Sequence, residues 1–373
     1  MGFLKSIARA ILQCLWPDDS PDEQYEKAEA AYQEYLSTKN RKYLNTALQD
    51  YKSAHSARIK DEHSELANTE VNYAAALWAE YELDGQPPEK LTRIIELDEH
   101  ALGLWKAASP KPVGYPVLLL NLFTAYFHSY LAAAHNQGPK VSLNLELYDE
   151  LKQYSQQLDV SSDTRRKMLM MLGTALSTRC DLDNTSDKLD EAINHLEQAL
   201  KLSETHVVTE GEDGERGTEL AAFHTGCLLK LATAYFVRYN LSNGSQDLDD
   251  AIRCNDSARQ ALPNDDPERS LCLYNLAHQL FKRYEQAREQ IASPVLLDTR
   301  LTANRGMEDL KEAERTAGEA QRLLETAPPE SELKQLVNEL LDVLKVHSAA
   351  SSRVPSRAPT PTPSPHPSDV RGS

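Results

Sequence analysis

Two short runs set carboxylates beside a histidine, Asp61-Glu62-His63 and Asp98-Glu99-His100, and both carry the donors that a metal ion or a proton relay uses. Helical geometry argues against that chemistry. Positions i, i+1 and i+2 of a helix point in different directions, so the second triplet cannot close on one ion. We read both runs as solvated helix charge. Gly211, Gly214 and Gly217 recur three apart, but they sit in the acidic stretch ETHVVTEGEDGERG (204–217), which repels a phosphate. The chain has no His-Glu-x-x-His, no Gly-x-x-x-x-Gly-Lys and no Gly-x-Ser-x-Gly. No metal site, cofactor or catalytic constellation is predicted, and the expectation is a protein that is not an enzyme.

The remaining chemistry lies at the two ends. In GFLKSIARAILQCLW the apolar residues Leu4, Ile7, Ala8, Ile11, Leu12 and Leu15 fall on one helical stripe, with Lys5 and Arg9 off it and no acid. Pro17 ends the segment, so residues 1–16 are predicted as an amphipathic helix. Three readings stand: a cap docked on the following helices, a peripheral membrane contact, and a short mitochondrial presequence. Gly2 after Met1, with Ser6, fits the loose myristoylation pattern, and Cys14 offers a palmitoylation site. Phe3 beside Gly2 is unfavourable for acylation. At the other end, residues 351–373 are rich in Pro, Ser and Thr and lack the apolar content to build a core. Thr360, Thr362 and Ser364 each precede proline and suit proline-directed phosphorylation.

Between these ends the composition is helical. Ala, Leu, Glu, Lys and Gln dominate, and only 14 of 373 residues are glycine. Both ends are net basic, so the middle is more acidic than the whole-chain charge of −17 implies. Such a body repels phosphate backbones, which excludes nucleic acid and favours other proteins or basic peptides as partners. The five cysteines form no Cys-x-x-Cys pair, and all but Cys14 neighbour apolar residues in predicted helices. Free thiols of that kind suit a reducing, cytoplasmic setting. No apolar run approaches the ~20 residues of a membrane span.

The elements that position any site come from a repeat. Six segments align without gaps: 26–35 EKAEAAYQEY, 72–81 NYAAALWAEY, 121–130 NLFTAYFHSY, 171–180 MLGTALSTRC, 230–239 KLATAYFVRY and 275–284 NLAHQLFKRY. The third position is small (Ala28, Ala74, Gly173, Ala232, Ala277), which lets a neighbouring helix approach. The tenth is Tyr35, Tyr81, Tyr130, Tyr239 or Tyr284 in five of them. A second helix follows each, with anchors seven apart: Ala47/Ala54, Ile94/Ala101, Ala192/Ala199, Ala251/Ala258 and Ala313/Ala320. Seven residues are about two turns, so each pair faces one neighbour. Ser20-Pro21-Asp22-Glu23 reads as a capping box, and Asp266-Pro267-Glu268 is expected to open the sixth unit in the same way. Residues 204–217 are expected as a loop and 286–306 as an insertion between helices. The array is expected over 21–330, with a terminal amphipathic helix over 331–350 closing its open end.

Leu172-Gly173, Leu231-Ala232 with Tyr235, and Leu276-Ala277 in the first helix resemble the tetratricopeptide repeat. So do Ala192/Ala199 and Ala251/Ala258 in the second, with Pro263 at the closing proline. The departure is length: the small residue and the first anchor lie farther apart than in that family, so either the first helix is longer or the turn is expanded. The Leu-Asp-x-Ala-Ile run and the Arg-Tyr ending resemble long arrays of fungal proteins. The resemblance implies an all-α, right-handed α-solenoid of about six helix-turn-helix repeats that acts as a scaffold or adaptor. An alternative is a membrane-peripheral protein recruited through residues 1–16, the array holding cargo or regulating it.

The resemblance also implies a peptide site on the first helices. Asn72, Asn121 and Asn275 stand at the family's Asn position, with Lys230 in the fifth repeat. Their amides suit either a ligand backbone or a bond to a neighbouring helix. Arg179, Arg238 and Arg283 recur just before the tenth position. They suit either a cationic ladder for a carboxylate or ion pairs to Asp187, Asp247 and Asp309.

Overall fold

The computed structural model describes residues 20–135, 142–159, 162–209, 215–292, 299–329 and 331–352. The amphipathic stripe with Gly2 and Cys14, and the tail with Thr360, Thr362 and Ser364, lie outside the described residues. Those that are described form thirteen α-helices and no strand. In chain order these are α1 (Pro21–Thr38), α2 (Arg41–Lys60), α3 (Leu66–Leu83), α4 (Pro88–Ala107), α5 (Tyr115–His135), α6 (Leu145–Gln157) and α7 (Asp163–Asp183). Then follow α8 (Leu189–Thr209), α9 (Glu215–Ser242), α10 (Ser245–Ala261), α11 (Arg269–Ala292), α12 (Thr299–Leu323) and α13 (Glu332–Ser352).

The chain divides into two compact units, Met1–Lys230 and Leu231–Ser373. In the first, α1 packs on α2, α3 on α4, α5 on α6 and α7 on α8, and each pair also packs on the next. In the second, α10 packs on α11, α11 on α12, and α13 on both α12 and α11. Neighbour-on-neighbour packing of helical hairpins is the all-α solenoid architecture.

The small and apolar repeat positions explain the packing. Ala28, Ala74, Ala232 and Ala277 are buried, as are all ten anchors of the second helices. The extra length of the repeat lies in the helices. The turns α1–α2, α3–α4, α7–α8 and α9–α10 span only 39–40, 84–87, 184–188 and 243–244. These turns hold left-handed residues, Lys39 (φ 53°), Gln86 (φ 64°), Asn184 (φ 53°) and Asn243 (φ 58°), which stop the first helix and reverse the chain. The five tenth-position tyrosines are buried, and four of them stack on an aromatic three residues earlier: Tyr32–Tyr35, Phe127–Tyr130, Phe236–Tyr239 and Phe281–Tyr284, with centroids 5.8–6.5 Å apart.

Several expectations need correction. Most of 204–217 is helical, because α8 runs to Thr209 and α9 starts at Glu215. Most of 286–306 is helical as well, in the last turns of α11 and the first of α12. The capping box forms at Ser20, where the Oγ accepts from the Glu23 amide at 3.2 Å and the Ser20 amide donates to Glu23 Oε2 at 2.9 Å. At Asp266 it does not: the carboxylate takes the Glu268 amide at 2.8 Å and the helix begins at Arg269. Two helical stretches, Tyr115–His135 and Gly217–Ser242, are long and apolar enough to cross a membrane by length and composition. In α5 that apolarity meets other helices: Leu118, Leu119, Leu122, Phe123 and Phe127 are buried in one core.

Candidate functional site

Arg58 fixes the geometry around the first two hairpins. It lies near the end of α2 and is only 3% exposed, so its charge must be met inside. Nη1 donates to the Glu65 carbonyl at 3.0 Å and to Thr69 Oγ1 at 2.6 Å, and Nη2 donates to Asp22 Oδ1 at 2.5 Å. The guanidinium lies 4.5 Å from the centroid of the Tyr25 ring. One cation thus ties the start of α1, the end of α2 and the start of α3. His63 stands in the intervening turn, its Nε2 3.6 Å from Asp22.

That arrangement leaves a groove of about 910 Å³ between α2 and α4, with α3 beneath. Leu66, Ala67 and Leu97 form apolar parts of its wall and are nearly buried, while Ile59 and Leu104 line it at 49% and 43% exposure. Large aliphatic side chains that remain half in water on facing helices make an unpartnered apolar surface. Around them stand the carboxylates of Glu62, Glu65 and Glu96, and Arg93 is paired to Glu96 at 3.0 Å.

Glu70 forms the polar centre of the wall. It is 2% exposed, yet its carboxylate accepts from His55 Nε2 at 3.0 Å and from His100 Nδ1 at 2.8 Å. Asp98, on α4, is 1% exposed and neither carboxylate oxygen has a hydrogen-bond partner. Burial, with the nearby charge of Glu70, pushes its carboxyl up to about 8. The reading of Asp98-Glu99-His100 as solvated charge is therefore wrong at Asp98, which points into the packed side of α4. The three neighbours do diverge: Glu99 is exposed and accepts from the Tyr126 hydroxyl, and His100 turns to Glu70. Among the described residues no group of three or more His, Cys, Asp or Glu is arranged to hold a metal ion.

None of the sequence-predicted binding residues lines this groove. Asn72 donates to Tyr25 Oη at 2.6 Å and to Glu29 at 3.2 Å, so its amide is engaged by the preceding hairpin. Asn121 and Asn275 are half-buried, and Lys230 is exposed at the end of the first unit. Arg238 pairs with Asp247 at 2.6 Å. Arg283 grips Asp309 through Nε at 2.8 Å and Nη2 at 2.6 Å, and reaches Asp249 at 2.7 Å. Arg179 meets Asp183 of its own helix at 3.4 Å rather than Asp187.

No protein-family model matches the chain, and no curated protein matches it in sequence. Among solved structures it is similar to the S. pombe nuclear import adaptor Nro1, at 14% identity and a TM-score of 0.44 over 86% of this chain and 99% of that one. A second structure, of Nro1 described as a hypoxic regulator of sterol synthesis and nuclear import adaptor, gives 14% and 0.43 over 86% and 94%.

Proposed function

We propose that this chain is a non-enzymatic protein-interaction scaffold whose first unit holds an apolar, basic-flanked protein segment in the α2–α3–α4 groove. The observation that carries the reading is the pair Ile59 and Leu104, left half-exposed above a buried apolar wall and bordered by Glu62, Glu65 and Glu96. Apolar area there supplies affinity, and the carboxylates select basic flanks and disfavour acidic ones. The four buried free cysteines support a reducing compartment for such a protein.

A peptide-display selection on the full chain tests this. Enriched sequences should carry large apolar residues at helical spacing with Lys or Arg beside them. Binding should drop at least tenfold on Ile59→Glu/Leu104→Glu, substitutions at exposed positions that leave the core untouched. Acidic selected sequences, or binding indifferent to both substitutions, would overturn the proposal.

A further inference from the structure

The first turn of α1 stands beside this groove. Asp22 is held by Arg58 and stands 3.6 Å from His63, and His63 is a groove residue. Residues 17–19 alone separate Ser20 from the amphipathic segment 1–16. That segment matches the groove in length, polarity and charge. Its stripe from Leu4 to Leu15 is about 17 Å long as a helix, and residues 93–108, which run along the groove, span about 22 Å. Its apolar side chains complement Ile59 and Leu104. Its flanking charges, Lys5 and Arg9 with no acid, complement Glu62 and Glu65.

We infer that residues 4–15 of this chain dock in cis in the α2–α3–α4 groove, so that an external segment must displace the protein's own N-terminus. The inference rests on reading the groove as a ligand site, and it adds the regulation of that site. A tether this short holds the segment at an effective concentration of about 1 mM. For an intrinsic Kd tenfold below that concentration, the groove is filled roughly nine-tenths of the time and an outside ligand binds about tenfold more weakly.

Pulsed electron paramagnetic resonance on the full chain tests the docking. One nitroxide goes on Cys14, the other on Thr92→Cys, an exposed position on α4 outside the groove lining. The four described cysteines are buried and do not compete for the label. Docking predicts one narrow distance peak that broadens on Ile7→Asp/Ile11→Asp, which alter only the segment, and on Leu104→Glu, which alters only the groove. A broad distribution in the native sequence overturns the inference, as does a narrow one that all three substitutions leave unchanged.

A second measurement separates this inference from the groove reading. A fluorescent synthetic peptide of residues 3–16 is titrated into the Ile7→Asp/Ile11→Asp chain and into the native chain. Groove-dependent binding that is about tenfold tighter to the substituted chain supports cis docking. Equal binding to the two chains overturns cis docking and leaves the groove a ligand site. If display-selected peptides bind the groove while the 3–16 peptide does not, the inference again fails alone.

Discussion

Gly173 on α7 lies against Leu196 on α8 with no room for a methyl group. A Cβ at Gly173 would stand 2.6 Å from Leu196 Cγ and 2.7 Å from the Ala192 carbonyl oxygen. The leucine can shift, but the carbonyl belongs to the neighbouring backbone and cannot give cheaply. Gly173→Ala is therefore expected to destabilise by about 1–3 kcal/mol through overpacking. Gly318, within α12, faces open space, and a Cβ there would meet no neighbouring group within 4 Å. Gly318→Ala should stabilise by about 0.5–1 kcal/mol through helix propensity. Urea midpoints of the two variants that move in the same direction would contradict this account.

Two of the repeat arginines, Arg283 and Arg179, are predicted to differ in what they contribute. Arg283 holds Asp309, which is only 5% exposed, through a two-point fork and also reaches Asp249. Arg283→Ala strands the Asp309 charge and should cost about 3 kcal/mol, with Arg283→Lys intermediate because a lysine cannot fork. Arg179 faces Asp183 of its own helix, across 3.4 Å, and both side chains remain partly exposed. Arg179→Ala should change stability by less than about 0.5 kcal/mol. Chemical denaturation of the three variants checks the order, and equal losses at positions 179 and 283 would rule it out.

Asp98 predicts an unusual pH dependence. Its folded carboxyl titrates near 8 against the usual value of 3.8, first through burial and then through Glu70. With the folded value raised, the native state keeps a proton that the unfolded chain has lost between these limits. The ionisation penalty of Asp98 is therefore small at pH 4 and below and costs stability increasingly as pH rises toward 8. The advantage of Asp98→Asn over the native chain should be smallest near pH 4 and grow by roughly 1–3 kcal/mol by pH 7.5. Glu191 does not confuse the measurement. Burial raises its value, but hydrogen bonds from Lys152, Lys188 and Tyr148 outweigh that and leave it near 2. Its contribution is lost only as pH falls below the ordinary carboxylate range. Thermal melts of both chains across this range give the difference directly, and a difference independent of pH would refute the assignment.

The packing was legible because it follows a period. Alanines seven apart, small residues at one register and tyrosines at another each name a buried face of a helix, and the structure buries them. The aromatic partners of the tyrosines sit three residues earlier and carry a weaker signal, since Tyr32, Phe127, Phe236 and Phe281 share no single residue type. The groove was not legible. Its lining runs from His55 to Pro112 across three helices and two turns, and no spacing in sequence brings Ile59 to Leu104 or His55 to His100. Asp98 was misread because its neighbours Glu99 and His100 are exposed, and charge in a run hides which member faces inward. The helical ends of 204–217 and 286–306 were missed for a related reason. The acids of 204–217 suggest a loop, although acids on a solvated helix face are equally compatible with a continuing helix, and no repeat anchor marks where the helices flanking 286–306 end.

The thiols supply a further test of the packing in both units. Cys227 and Cys272 are 0% and 1% exposed, and burial pushes each thiol up to about 12. Cys180 is 1% exposed and raised in the same direction by burial, and Cys254 is 6% exposed. A thiol reacts as its thiolate, so high pKa and poor access both slow it. In the native full chain at pH 8, a disulfide reagent such as dithionitrobenzoate should titrate no more than one thiol rapidly, and Cys14→Ser should remove that phase. In denaturant all five should react. The order of slow reaction carries the information: thiols in one packed unit should appear together as that unit opens, Cys180 and Cys227 in the first and Cys254 and Cys272 in the second. Two or more rapid thiols in the native chain would show that the cores around these residues are looser than their burial states.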